Sequence, residues 1–156
     1  ELNAELERLQ RKYGDLVRLT EDGNIEIQLN SDVTFSAGSY ELTKQGKAIL
    51  DRVAGELKGE FAAHRVKVIG HTDADPIKKS PFKDNWELGA ERALEVVRYF
   101  NKSHGIDGSR LTDVSRGQME PLGDNATKDG RSRNRRVEIV VVIPHQQIVS
   151  EETTLK

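Results

Sequence analysis

Val66-Lys67-Val68-Ile69-Gly70-His71-Thr72-Asp73, then a loop, then Asn85-Trp86-Glu87-Leu88 and Arg92-Ala93, is the stretch that decides how this chain folds. Val66 and Val68 alternate with charged or neighbouring residues, so Arg65 to Gly70 reads as a strand. The later residues Leu88, Ala93, Val96, Val97 and Phe100 recur at helical spacing and form the apolar face of a long helix. Gly105 follows His104 where that helix should stop, because glycine is favoured just past a helix C-terminus. An acid, Asp73, therefore stands at a strand exit, and a base, Arg92, on the next helix. An anion acceptor and a cation acceptor facing one cleft can hold a small zwitterion by both ends.

The same pattern extends outward in both directions. Thr43 is placed to cap a helix whose stripe is Ile49, Leu50, Val53, Ala54, Leu57 and Phe61. Ile25, Ile27 and Leu29 alternate with Glu26 and Gln28 as a half-buried strand, after turn chemistry at Glu21-Asp22-Gly23-Asn24. Leu111 to Ser115 reads as a third strand, Arg131 to Arg135 as a short helical turn, and Val137 to Ile143 as a fourth strand stopped by Pro144. Leu2, Leu6, Leu9, Tyr13, Leu16 and Val17 give an amphipathic N-terminal helix over residues 2–19, either packed on the domain or continuing a coiled coil. Strands alternating with helices through long connections favour right-handed crossovers, which put both long helices on one face of a small sheet. The expected fold is α+β: a two-layer α/β sandwich with a four-stranded sheet, preceded by the N-terminal helix. The expected organisation is a linker helix at 1–20, a domain at 21–144 and a polar, disordered tail at 145–156.

Composition narrows the function. The chain has 156 residues, 32% of them charged, and a formal net charge of -2. That is long enough for one real core and offers no large positive field for nucleic acid phosphates. Arg116, Arg131, Arg133, Arg135 and Arg136 carry no interleaved aromatic platform, so they do not make a nucleic-acid patch. No apolar run approaches the roughly 20 residues of a bilayer helix. There is no cysteine, hence no disulfide framework or thiolate chemistry. No signal peptide is visible and residue 1 is Glu, so an excised fragment is expected.

Gly70-His71-Thr72-Asp73, the run Asn85 to Ala93 and Asn134-Arg135-Arg136-Val137-Glu138 together resemble the OmpA C-terminal-like peptidoglycan-binding family over about residues 25–143. Asp73-Ala74-Asp75-Pro76-Ile77, the insert up to Asp84 and the Asn-Trp-Glu-Leu helix start are most similar to its MotB type, the wall anchor of the flagellar stator. The resemblance implies a mixed sheet and noncovalent binding of peptidoglycan, with Asp73 taking the ammonium and Arg92 the carboxylate of diaminopimelate. It further implies that Thr72 and Asn85 line the site, that Leu88 and Phe35 form apolar walls, and that Asn134 and Arg135 border the pocket. A periplasmic, homodimeric, membrane-anchored protein without enzymatic activity, cofactor or metal is expected. Two departures stand out: Ser115-Arg116-Gly117-Gln118 replaces a Gly-aromatic-Gly-Glu run, and Gly89 replaces a serine, at a helix cost of roughly 1 kcal/mol.

Each site residue has a plainer reading. Asp73 could be a turn residue, Asn85 a helix cap, Phe35 and Leu88 core, and Arg92 the partner of Glu87, Glu91 or Glu95 on its own helix. His71, Asp73 and Asp75 could instead hold a metal ion and a hydrolytic water, a reading weakened by the scattered positions of His64, His104 and His145. A pure dimerisation module of an envelope protein is the remaining alternative.

Overall fold

A computed structural model describes residues 2–78 and 81–144. Its elements are α1 (Leu2–Tyr13), β1 (Val17–Leu19), β2 (Ile25–Asn30), α2 (Ser31–Thr34), α3 (Lys44–Lys58), β3 (Val66–His71), α4 (Asn85–Arg98), β4 (Leu111–Gly117), α5 (Lys128–Asn134) and β5 (Arg136–Val141). α4 runs on into a π-helical turn at Tyr99–Ser103. The tail expected to be disordered, 145–156, lies outside the described residues.

The α+β sandwich expected from the sequence is present, but its sheet has five strands in the order β1-β2-β5-β3-β4. β3 and β4 pair in parallel; every other neighbouring pair is antiparallel. The extra strand comes from residues read as the end of the N-terminal helix. Gly14, at φ 65, breaks that helix, and a tight turn closed by Thr20 N–H to Asn24 O at 2.8 Å returns Val17–Leu19 alongside Ile25–Ile27. Leu16 and Val17 fit the helical spacing by position alone, and the glycine overrides it because its left-handed conformation cannot continue a right-handed helix.

Alternation sorts the strands cleanly. Ile25, Ile27, Leu29, Val66, Val68, Val137, Ile139 and Val141 point to one face and form a single core with Leu50, Val53 and Leu57 of α3 and Ala93 and Val96 of α4. Each fully buried side chain of this kind stabilises the fold by about 1.5–3 kcal/mol. Thr43 caps α3 as expected, accepting from the Gly46 N–H at 2.9 Å.

α1 lies against this core through Leu9 and Tyr13, and its basic residues converge on α3: Lys12 Nζ is 2.6 Å and Arg8 Nη2 3.0 Å from the buried carboxylate of Glu56. Burial alone pushes the Glu56 carboxyl up, but the hydrogen bonds and charges of Lys12 and Arg8 outweigh it and hold it below its ordinary value of 4.5. A carboxylate depressed in the folded state contributes stability above its unfolded pKa and loses it as pH falls through the folded value. α1 is therefore expected to loosen in acid ahead of the sheet, which amide exchange between pH 7 and about pH 3.5 would detect. In Glu56→Gln, the exchange rates of α1 should already be high at pH 7. Equal protection of α1 in that variant would contradict the account.

Candidate functional site

The site forms where β3 leaves the sheet beside α4. Gly70 of β3 and Gly89 of α4 touch backbone to backbone: a Cβ on Gly70 would lie 2.0 Å from Gly89 O, and one on Gly89 would meet Ser115 Oγ at 2.6 Å. Gly89 thus packs directly on β3, which offsets its cost to the helix. This close approach brings Arg92, one turn further along α4, towards Asp73, three residues past Gly70.

After Gly70 the β3–β4 register shifts, and Thr72 N–H closes the loop on Gly117 O at 2.8 Å. The Thr72 hydroxyl donates to Asp73 O at 2.8 Å, so this buried residue shapes the backbone that carries the acid. Asp73 is 9% exposed; its Oδ1 accepts from the Asp75 N–H at 3.0 Å and its Oδ2 from Arg135 Nη1 at 2.6 Å. α4 is capped by Asp84, whose carboxylate accepts from the Glu87 N–H at 2.9 Å. Asn85 is consequently free of capping. Its Nδ2 lies 3.2 Å from Asp73 O, 3.1 Å from Asp75 O and 3.0 Å from Gln118 Oε1, stapling the insert loop and the end of β4 to the helix start.

Arg92 is 5% exposed and has no carboxylate within salt-bridge distance among the described residues; the glutamates of its own helix do not pair with it. Its Nε donates to Ser39 O at 2.8 Å, and its Cζ lies 5.2 Å from the centre of the Phe35 ring. Burial lowers its pKa to about 10, against the opposing pull of Asp32 and Asp73 and with the repulsion of Arg135. At neutral pH it remains a cation.

Arg135 is the opposite case. Its Nε and Nη2 form a fork on Asp32 at 2.8 and 2.9 Å, and its third nitrogen reaches Asp73. The Asp32 bonds above all hold the Arg135 guanidinium well above its ordinary range, and in return Arg135 holds the Asp32 carboxyl below its own.

Asp73 pairs with Arg135, Thr72 and Asn85 both bond the Asp73 carbonyl, the charges of Asp73 and Arg135 act on Arg92, and Leu88 sits half-buried on the same helix as Arg92. Two expectations change. Phe35, read as an apolar wall, is 1% exposed and supports the Arg92 guanidinium from the core side. Asn134, read as bordering the pocket, is 0% exposed and turns its amide into the 122–125 loop. Its Oδ1 accepts from Leu122 N–H and Gly123 N–H, and its Nδ2 donates to Gly123 O and Asn125 Oδ1. Asn125 in turn accepts from the Ala74 N–H, so Asn134 reaches the site through a relay. Asn134→Ala strands several buried polar groups and is expected to destabilise by about 3 kcal/mol. Chemical denaturation would measure it, and a loss below about 1 kcal/mol would remove the clasp from consideration.

Sequence reading missed Asp32 and the carbonyl of Ser39. Asp32 lies in the single turn of α2 and Ser39 in the polar loop after it, with no periodicity to link them to Arg135, 103 positions away, or to Arg92, 53 positions away. His71 pairs instead with Glu138 on the neighbouring strand, its Nε2 2.8 Å from Glu138 Oε1, and among the described residues no three His, Cys, Asp or Glu side chains are grouped to hold a metal ion. Nor, among them, is any helix long and apolar enough to cross a membrane.

The sequence profile of the OmpA family matches residues 34–135, more than half of the chain, with Asp73, Arg92 and Arg135 inside it. The chain belongs to the OmpA family. Within it, this OmpA-family domain is similar to Motility protein B of Bacillus subtilis, 26% identical over 152 residues that cover 89% of the chain and 58% of that relative. Among solved structures it is similar to a MotB-like protein from Desulfovibrio vulgaris, 30% identical with a TM-score of 0.74, covering 90% of this chain and 95% of that one. It also matches the cell wall anchor of the T6SS from Pseudomonas aeruginosa, 30% identical with a TM-score of 0.76, covering 89% of this chain and 97% of that one. The chain spans about half the length of the curated relatives it matches.

Proposed function

We propose that this OmpA-family domain binds peptidoglycan noncovalently, gripping the diaminopimelate of the stem peptide between Asp73 and Arg92. The observation that carries the reading is the buried Arg92, a cation with no paired carboxylate among the described residues, beside a carboxylate that still has acceptor capacity. A guanidinium presents a planar fork of donors to a carboxylate, and a carboxylate accepts several N–H bonds from one ammonium. Similarity to a cell wall anchor and to Motility protein B supports the same direction. In this reading the domain is periplasmic and performs no chemistry; residues 21–144 carry the binding site, on a sheet that Val17–Leu19 extends by one edge strand, and the N-terminal helix leads towards a membrane-anchored assembly of the stator type. A second copy would add avidity on a polymer that repeats its epitope.

Sedimentation with protein-free sacculi containing diaminopimelate tests it. Wild type is expected in the pellet, and Asp73→Asn, folded by circular dichroism, in the supernatant. Wild type left in solution would overturn the reading and leave a dimerisation module as the better account.

A further inference from the structure

We infer that Asp32, which lies outside the proposed clamp, is the positioning residue that keeps Asp73 able to receive a cation, because it takes up the charge of Arg135. The inference rests on the reading of the site as a receptor for an ammonium and a carboxylate.

A receptor for a zwitterion needs one uncompensated charge of each sign. Two arginines and two aspartates meet here, and their pairing decides what is left over. Asp73 alone with Arg135 would be a neutral pair, and an ammonium approaching it would meet as much repulsion as attraction. Asp32 changes the balance by occupying the fork of Arg135 with both oxygens, leaving only Nη1 on Asp73. Asp73 then keeps its negative charge for a ligand while Arg135 fixes the direction of its carboxylate. Each of its oxygens accepts one protein hydrogen bond, from Asp75 N–H and from Arg135, out of about two it can take. Arg92 keeps the uncompensated positive charge. The neighbouring Arg131 and Asp75 face each other at 3.8 Å and cancel.

Asp32 is itself held for this task. Its Oδ2 accepts from the Ser132 hydroxyl at 3.0 Å, Asn30 Nδ2 steadies Ser132 at 3.2 Å, and the Asp32 N–H donates to Asn30 Oδ1 at 2.8 Å. Its side chain is 44% exposed, so an isosteric amide there leaves the core untouched.

The test is calorimetric titration with a soluble muropeptide carrying diaminopimelate, with its side-chain ammonium either free or acetylated. Asp32→Asn is expected to weaken binding of the free-ammonium form by about tenfold, because the charge of Arg135 is then left uncompensated beside Asp73. Asp32→Glu should retain the affinity. Asp32→Asn combined with Arg135→Gln should bind more tightly than Asp32→Asn alone, because the uncompensated charge is gone, while falling short of wild type because the bond that directs Asp73 is lost. Binding of the acetylated form, weak in wild type, should not change with Asp32→Asn. Thermal midpoints confirm that each variant is folded. Undiminished binding by Asp32→Asn, or a double variant as weak as the single one, would overturn the inference and leave the diaminopimelate clamp standing. A folded wild type that binds no muropeptide would overturn the clamp and this inference with it.

Discussion

Arg92→Met is expected to leave the domain in the supernatant of a sacculus sedimentation assay while unfolding no more easily than wild type. The two halves of this result have one cause. Arg92 carries a charge into a site where 5% of its surface is exposed and no carboxylate pairs with it among the described residues. A buried charge without a partner weighs against folding, and its hydrogen bond to Ser39 O and its contact with Phe35 offset only part of that. Methionine fills similar volume without the charge, so the unfolding free energy should remain within about 1 kcal/mol of wild type or rise. Binding should fall by roughly 3 kcal/mol or more, the scale of losing one partner of a desolvated, charged hydrogen-bonded pair. Arg92→Lys keeps the charge but loses the planar fork, and an intermediate affinity is expected of it. If Arg92→Met sedimented with the wall, the carboxylate half of the clamp would be wrong. If it bound nothing but was also several kcal/mol less stable, Arg92 would be structural.

Gly70→Ala is expected to produce the largest loss of stability. The new methyl carbon would lie 2.0 Å from Gly89 O, 2.7 Å from Gly89 C and 2.9 Å from Gly89 Cα, all backbone atoms with no rotamer to yield. α4 must move off β3, opening a contact that continues into the core through Ala93 and Val96. Overpacking a rigid contact costs about 3 kcal/mol, at the upper end of the usual range, and wall binding should fall with it because the distance from Asp73 to Arg92 grows. Gly89→Ala is the milder companion. Its closest clash is the Ser115 hydroxyl at 2.6 Å, which can rotate away from Trp86 O, and the helix gains from alanine. Equal losses in the two variants would contradict this asymmetry.

Features fixed by near neighbours were legible in the sequence. The helix stripes, the Thr43 cap and the alternation of β2 and β3 follow from side chains within a turn or a pleat of each other. The same locality misled at Val17–Leu19, where helical spacing continued past a glycine that ended the helix, so the fifth strand was overlooked. The plainer reading of Asn85 as a cap falls away, because Asp84, one residue earlier, has the extended backbone a cap requires.

The chain by itself determined an α+β sandwich with an acid at a strand exit and a base on the following helix, because hydrophobic period and turn chemistry are local properties. Only the tertiary structure decided which charges are spent and which are free. Arg135 reaches Asp32 across 103 positions and Asp73 across 62, and the clearance between Gly70 and Gly89 sets how near Arg92 comes. Such pairings depend on strand register and on backbone contact between a helix and a sheet, and no spacing along the sequence encodes them.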